Sequence, residues 1–327
     1  GYAPDRAGAP YRATGNTFDL IAYFPLVPLV SRAMSRIMPL DVAMVVFSNL
    51  CSLIGFGFLF DWARRLVDAR TATICVLITA TFPGAVAIAA GMTEGPFLML
   101  VAMALWLLQR KRFYGAAVAA GIATATRPTG VALAMVVVLY AWTQLASEPL
   151  ARRMMNVLVL GLISFSGTIA YEAFLWHRYE TPTAYSQAQS AWTSGDDVRM
   201  ARDTAGGVKR YSWEFFRSRL LRPQGLNRLI GLAVLVVTVA GLLKPVRIPR
   251  VYFLLPLVIV VMTCLPGRGL RISSLPRYES GAVPLFLLMA IWLRAQPRRA
   301  LLVGLLLLQM GIQIYYAILF PREIWVG

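Results

Sequence analysis

The acid Glu94 lies in the stretch ATFPGAVAIAAGMTEGPFLMLVAMALWLL, residues 80–108, which is otherwise almost entirely apolar. A charged side chain at the centre of a bilayer costs about 2.5–3.5 kcal/mol on insertion scales, so an acid in such a stretch indicates a functional site. The alternative interpretation is that Glu94 only reaches water at a turn between two membrane spans.

Two arginines have the chemistry that would bind a phosphate. Arg127 lies in the turn TRPTG, and Arg277 lies beside Tyr278 in SLPRYESG. A guanidinium group is a planar fork of donors that stays charged, which suits a phosphate group. Two other roles remain open. Arg127 could anchor a helix end against lipid headgroups, and Arg277 could bind a headgroup together with Arg268 and Arg271 without doing chemistry.

The composition predicts an all-α, polytopic membrane helical bundle. The chain has 327 residues, of which 58% are hydrophobic and 14% are charged, and its mean hydropathy is +0.64. About 20 apolar residues cross a bilayer as a helix. About ten spans are predicted, in a single transmembrane domain over residues 1–327, at 41–62, 71–90, 95–109, 114–126, 129–146, 154–176, 226–243, 251–265, 281–294 and 300–320.

Basic residues fall on alternate connectors between these spans. The basic connectors are 62–70, 109–112, 151–153, 244–250 and 294–299. Because short loops rich in Lys and Arg are retained in the cytoplasm, we expect these connectors to be cytoplasmic. The outer side then carries two longer loops, 1–40 and 177–224, the turns that contain Glu94 and Arg127, and the segment 266–280 that contains Arg277. We expect a multi-pass protein of a bacterial plasma membrane.

The residue counts exclude several classes of site. All three Cys lie inside apolar runs, and the chain has one His, so no metal site and no cofactor are predicted. The net charge of +17 comes from basic residues interleaved with membrane spans. That pattern marks membrane topology or contact with anionic lipid and phosphate, and we expect no nucleic acid partner.

Several stretches together resemble the PIG-V-like mannosyltransferases, which are integral membrane glycosyltransferases of the GT-C class. In chain order they are FPLVPLVSR (24–32), SNLCSLIGFGFLF (48–60), TEGPF (93–97), TRPTG (126–130), TPTAYSQAQSAW (181–192), LPRYESGAVPLF (275–286) and WVG (325–327). The resemblance implies a GT-C fold with its active site on the outer face. It also implies a polyprenyl-phosphate-linked mannose donor, a lipid or glycan acceptor and inversion at the anomeric carbon.

The resemblance also assigns roles to residues. Arg277 and Arg127 would bind the donor phosphate, with Tyr278 beside them, and Glu94 would organise the cavity that holds donor or acceptor. Gln189 and Trp192 would cover the sugar or the acceptor, although Trp192 could equally be an aromatic residue of the membrane interface.

The family's catalytic Asp lies just before a Gly-Tyr pair, and this chain starts at Gly1-Tyr2. We therefore expect the catalytic base upstream of Gly1. Asp19 is the candidate acid within the chain, although it does not match the family motif.

Two other classes of function remain open. A transporter or lipid flippase is expected to have inverted repeats with discontinuous spans in matching positions, and the sequence shows neither. A GT-C-like scaffold without activity would retain the fold and lack the catalytic Asp.

Overall fold

A computed structural model describes residues 23–181, 183–185, 188, 223–243, 247–264, 275–296 and 299–319. These residues form α-helices with two 3₁₀ turns, at Pro83–Ala85 and Arg250–Phe253. The helices are α1 (Leu26–Met34), α2 (Leu40–Leu66), α3 (Ala69–Thr81), α4 (Val86–Ala89), α5 (Glu94–Gln109), α6 (Phe113–Thr124), α7 (Gly130–Gln144), α8 (Leu150–Tyr179), α9 (Pro223–Leu243), α10 (Leu254–Cys264), α11 (Leu275–Glu279), α12 (Val283–Ala295) and α13 (Arg299–Leu319).

The described residues of the predicted spans are largely helical, so the prediction of an all-α membrane helical bundle is confirmed. Among the described residues, α2, α8 and α13 are each long and apolar enough to cross a membrane alone. A fourth candidate consists of α3 together with the bent segment Pro83–Ala89, and the remaining apolar helices are shorter, at 10–17 residues. The predicted span at 154–176 is longer in the structure, because α8 extends to Tyr179.

The span predicted at 71–90 is broken in the middle. Helix α3 ends at Thr81, and the chain bends by 66° into the segment Pro83–Ala89. Proline has no backbone N–H and clashes with the preceding turn, so Pro83 cannot continue the α3 hydrogen bonding. The other end of α3 is capped, because Asp68 accepts hydrogen bonds from the backbone N–H and the hydroxyl of Thr71, at 3.0 and 2.6 Å. These hydrogen bonds lower the pKa of the Asp68 carboxyl below its usual value.

Two polar side chains of α13 contact the place where α3 breaks. The Gln313 side chain donates to the Ala80 carbonyl at 3.2 Å, and the Thr81 hydroxyl donates to Gln309 at 2.8 Å. Gln309 and Gln313 are four residues apart and therefore share one face of α13. In an apolar environment a backbone carbonyl without a partner is costly, so Gln313 compensates for the break at Ala80.

Helix α5 lies at the centre of the bundle, and most of its side chains are buried. It packs along α2, and the two backbones come unusually close at Gly95. A Cβ atom on Gly95 would lie 2.3 Å from the Ser48 carbonyl oxygen. Small residues permit this close packing between membrane helices, where dispersion forces drive association. The fold therefore fixes the start of α5 against α2.

Helix α6 is packed in the same way against α8. A Cβ atom on Gly121 would lie 2.4 Å from the Ile163 carbonyl oxygen, and one on Gly167 would lie 2.3 Å from the Gly121 carbonyl oxygen. At its end, α6 also binds the start of α1, because the Leu26 backbone N–H donates to the Ala125 carbonyl at 3.0 Å. The turn that follows α6, which carries Arg127, is thereby held from two sides.

The role of Gln313 leads to a stability prediction. We expect Gln313→Leu to lower the free energy of unfolding by about 1 kcal/mol, because the Ala80 carbonyl loses its donor. Thermal unfolding of the purified protein in detergent micelles measures this change. Met310→Leu, at an exposed apolar position of the same helix, is the matched control and should leave the transition in place. Equal unfolding temperatures for the two variants would contradict the role of Gln313.

Candidate functional site

The turn before α5 lies against α2, well inside the length of that helix. Gly91 has a φ of 72°, a left-handed conformation that glycine adopts readily. The Ser48 hydroxyl lies 3.0 Å from the Ile88 carbonyl oxygen and 2.9 Å from that of Met92. Ser48 is eight residues into α2, so the turn is recessed by roughly 12 Å from the start of that helix, at about 1.5 Å per residue.

The Glu94 carboxylate is shared by two guanidinium groups from distant parts of the chain. Arg277 donates from Nε to Glu94 Oε1, and the Arg127 Nη2 atom lies 3.2 Å from the same oxygen. The side chains of Glu94, Arg127 and Arg277 are 0%, 3% and 13% exposed. The structure thus brings together three of the residues that the sequence singled out. A charge this deeply buried is stable only when it is paired.

Two aromatic rings pack against the Arg127 guanidinium group. Its guanidinium carbon lies 4.5 Å from the centre of the Tyr278 ring and 5.3 Å from that of Phe97. Cation–π contacts of this kind hold a guanidinium group without using its N–H donors. Within the described part of the chain, Nε and Nη1 of Arg127 have no hydrogen-bond partner, whereas Nη2 faces Glu94. Nε and Nη1 are therefore candidate donors to an anion.

Arg277 is positioned by the broken span. It lies in the short helix α11, which packs on the turn Pro83–Ala85. A Cβ atom on Gly84 would lie 1.9 Å from the Pro276 carbonyl oxygen, so the two backbones are in direct contact. Beyond α11, a Cβ atom on Gly281 would lie 2.5 Å from the Phe97 ring. The break in the span and these two glycines bring Arg277 to Glu94.

Three predicted site residues, Asp19, Gln189 and Trp192, lie outside the described residues, and their roles stay predictions. Close to Gln189 in sequence, Ala184 and Ala188 belong to a second apolar cluster together with Phe24, Tyr171 and Leu175. The Phe24 ring centre lies 4.8 Å from that of Tyr171 and 5.4 Å from that of Tyr185. These contacts join the FPLVPLVSR stretch to the C-terminal part of α8 and to the start of the long loop.

Sequence reasoning missed several residues of this site. Phe97 belongs to the TEGPF motif, yet its contact with Arg127 depends on tertiary structure. Gly84 follows Pro83 directly, and that Pro-Gly pair was the signal from which the break could have been found.

The described residues include no group of three or more His, Cys, Asp or Glu side chains that could hold a metal ion. The charged part of the site consists of one carboxylate and two guanidinium groups. This arrangement can bind an anion and stabilise negative charge as it develops during a reaction.

A family model of dolichyl-phosphate-mannose-protein mannosyltransferases matches residues 24–171, which is less than half of the chain. The matched segment contains FPLVPLVSR, TEGPF and TRPTG, and so includes Glu94 and Arg127. The match supports a membrane mannosyltransferase of the GT-C superfamily, and with the apolar helices it supports an integral membrane protein. A comparison with curated proteins gives no match. PIG-V-like membership within this superfamily stays a prediction.

The shared carboxylate leads to a second stability prediction. Glu94→Gln leaves two buried guanidinium groups without their anion, and breaking such a buried pair costs about 3–5 kcal/mol. We therefore expect a clear loss of thermal stability in detergent micelles. Glu180→Gln removes the same charge from an exposed position and is the control. A Glu94→Gln protein as stable as the control would contradict the paired arrangement.

The close approach at Gly84 leads to a third prediction. Gly84→Ala places a methyl group within the contact with Pro276, so α11 must shift and Arg277 must move away from Glu94. We expect weaker binding of a phosphate-bearing lipid by a protein that still folds. Gly311→Ala is the matched control, because no atom lies within 4 Å of a Cβ atom built there. Equal lipid binding by both variants, measured by fluorescence titration, would contradict the role of Gly84.

Proposed function

We propose that this protein transfers mannose from a polyprenyl-phosphate-linked donor to a lipid or glycan acceptor, at the outer face of the membrane and with inversion of the anomeric carbon. We further propose that it is a PIG-V-like member of the GT-C superfamily. The observation that carries the proposal is the pair of buried guanidinium groups, Arg127 and Arg277, on the single Glu94 carboxylate.

The guanidinium pair suits the charge change in this reaction. A polyprenyl-phosphate sugar is a phosphodiester with one negative charge, and the departing polyprenyl phosphate is a monoester that gains a second charge. Donors that face the developing charge in a water-poor site stabilise the transition state more than the bound donor. Arg277 is the more exposed of the two arginines, and Arg127 has donors without partners in the described region. We infer that both bind the phosphate.

We infer that Glu94 is not the general base that deprotonates the acceptor hydroxyl. Its carboxylate is already bound by two cations, which suits it to orient the guanidinium groups better than to accept a proton from the acceptor hydroxyl. We infer that Glu94 organises the donor cavity. The base itself is a carboxylate that must approach the attacking hydroxyl. We propose Asp19 as the candidate for this step within the chain.

We propose that the sugar and the acceptor bind on the outer side of the site formed by Glu94, Arg127 and Arg277. Tyr278 packs on Arg127 and so lies next to the proposed phosphate. The long outer loop supplies Gln189 and Trp192, which we propose bind the sugar or the acceptor through an amide group and an aromatic face. Support for this position of the loop comes from Tyr185, near its start, which packs on Phe24.

The test is a mannose transfer assay with the full-length protein in membranes that supply the acceptor, using a radiolabelled polyprenyl-phosphate mannose. We expect Arg277→Ala to abolish transfer. Arg277→Lys should retain part of the activity, with a higher KM for the donor, since lysine keeps the charge and loses the planar fork. The loss on removing one such donor is expected to be about 100-fold or more in rate.

Arg36→Ala is the matched control, since Arg36 is an exposed arginine near α1 on the same predicted face. It should transfer mannose like the unaltered protein. Normal transfer by Arg277→Ala would overturn the phosphate role. Transbilayer movement of the donor without any mannosylated product would instead favour the lipid flippase.

A further inference from the structure

A second charged cluster lies at the opposite end of α2 and α5. The Asp61 carboxylate accepts hydrogen bonds from Nε of Arg64 at 2.6 Å and from Nε of Arg65 at 2.9 Å. Arg110, at the end of α5, reaches the same carboxylate at 3.3 Å. Three guanidinium groups therefore surround one carboxylate, and two positive charges of this cluster have no anion among the described residues. The proposed mannosyl transfer does not use this cluster.

The cluster is ordered by an aromatic side chain. The Trp106 indole N–H donates to Asp61 at 2.7 Å, and the guanidinium carbon of Arg110 lies 3.6 Å from the centre of the Trp106 ring. Phe58 packs edge-on against Trp106, with ring centres 5.2 Å apart. Two helices thus hold the charged groups in place before any ligand binds, which reduces the entropy lost on binding.

The guanidinium groups remain accessible. The side chains of Arg64, Arg65 and Arg110 are 49%, 45% and 31% exposed. Asp61 lies 21 residues after Leu40, about 30 Å along the helix at 1.5 Å per residue. That length is about the thickness of the hydrocarbon core of a bilayer. The cluster is therefore at the level of the lipid headgroups on the side away from Glu94.

An exposed apolar stripe of α2 leads directly to the cluster. Leu50, Leu53 and Ile54 are 53%, 70% and 51% exposed. Gly57 continues the stripe, and no atom lies within 4 Å of a Cβ atom built on it. Residues spaced by three or four share a face of a helix, so this stripe ends at Asp61 and Arg64. One surface combines an open apolar track with a surplus of positive charge.

We propose that this surface, formed by Leu50, Leu53, Ile54, Gly57 and the Asp61 cluster, binds one anionic phospholipid. The headgroup phosphate accepts hydrogen bonds from Arg64, Arg65 and Arg110, and an acyl chain lies along the stripe beside Gly57. Charge complementarity selects this occupant, because guanidinium forks match a phosphate and a second apolar helix would leave the surplus charge unpaired.

Native mass spectrometry of the purified full-length chain tests the proposal. The protein is released from micelles that contain equal amounts of phosphatidylglycerol and phosphatidylcholine with identical acyl chains. We expect one phosphatidylglycerol to be retained in preference to phosphatidylcholine. Arg65→Gln and Arg110→Gln should each reduce this preference by about fivefold. Gly57→Leu, which fills the track, should reduce retention of both lipids.

Arg152→Gln is the matched control, since it removes an exposed charge from the same predicted face outside the cluster, and the preference should stay unchanged. An equal loss in Arg152→Gln would overturn the proposal in favour of diffuse attraction. Competition by inorganic phosphate as effective as that by the lipid would overturn the lipid as occupant. A dimer that Gly57→Leu dissociates would assign the stripe to a second copy of the chain.

Discussion

The ion pairs of the Glu94 carboxylate with Arg127 and Arg277 constrain the rest of the bundle. A buried carboxylate without a partner costs several kcal/mol, and so does each buried guanidinium group. The three residues come from three segments that are far apart in sequence, so these segments must converge to within a few ångströms. The turn at Gly91, the turn after α6 and the short helix α11 all meet at one point.

Breaks in the helices allow these three segments to meet. Helix α5 is short because its first turn starts beside Ser48, well inside the length of α2. Glu94 lies in this first turn and meets Arg127 and Arg277 there. The span that contains α3 bends at Pro83, and Gly84 then admits α11 to direct backbone contact. Bending a membrane helix exposes carbonyl groups, and Gln313 of α13 donates to the Ala80 carbonyl at that point. The site therefore depends on α13, although none of the charged residues of the site lies in that helix.

Hydropathy predicted the positions of the apolar helices well, because a helix that crosses a bilayer must be apolar over its length. Alternating basic connectors also predicted that Glu94, Arg127 and Arg277 share one side of the membrane, and the structure brings them together. The bend at Pro83 was not predicted, since residues 71–90 are apolar enough to read as one span. Contacts such as Phe97 with Arg127 and Gly84 with Pro276 join residues that no periodic pattern relates. The proposed roles of Asp19, Gln189 and Trp192 rest on the family resemblance alone.

The two charged clusters differ in burial and therefore in the chemistry that they suit. Each has guanidinium groups around one carboxylate, but Glu94 and Arg127 are 0% and 3% exposed, whereas Asp61 and Arg64 are 22% and 49% exposed. Charges in water are screened by salt within about 10 Å, so the exposed cluster attracts a headgroup without holding it rigidly. Buried charges are screened far less, and their orientation is fixed by packing against Phe97 and Tyr278. A reaction that separates charge needs fixed donors, so the same residue types suit transfer chemistry at one end of α5 and lipid contact at the other.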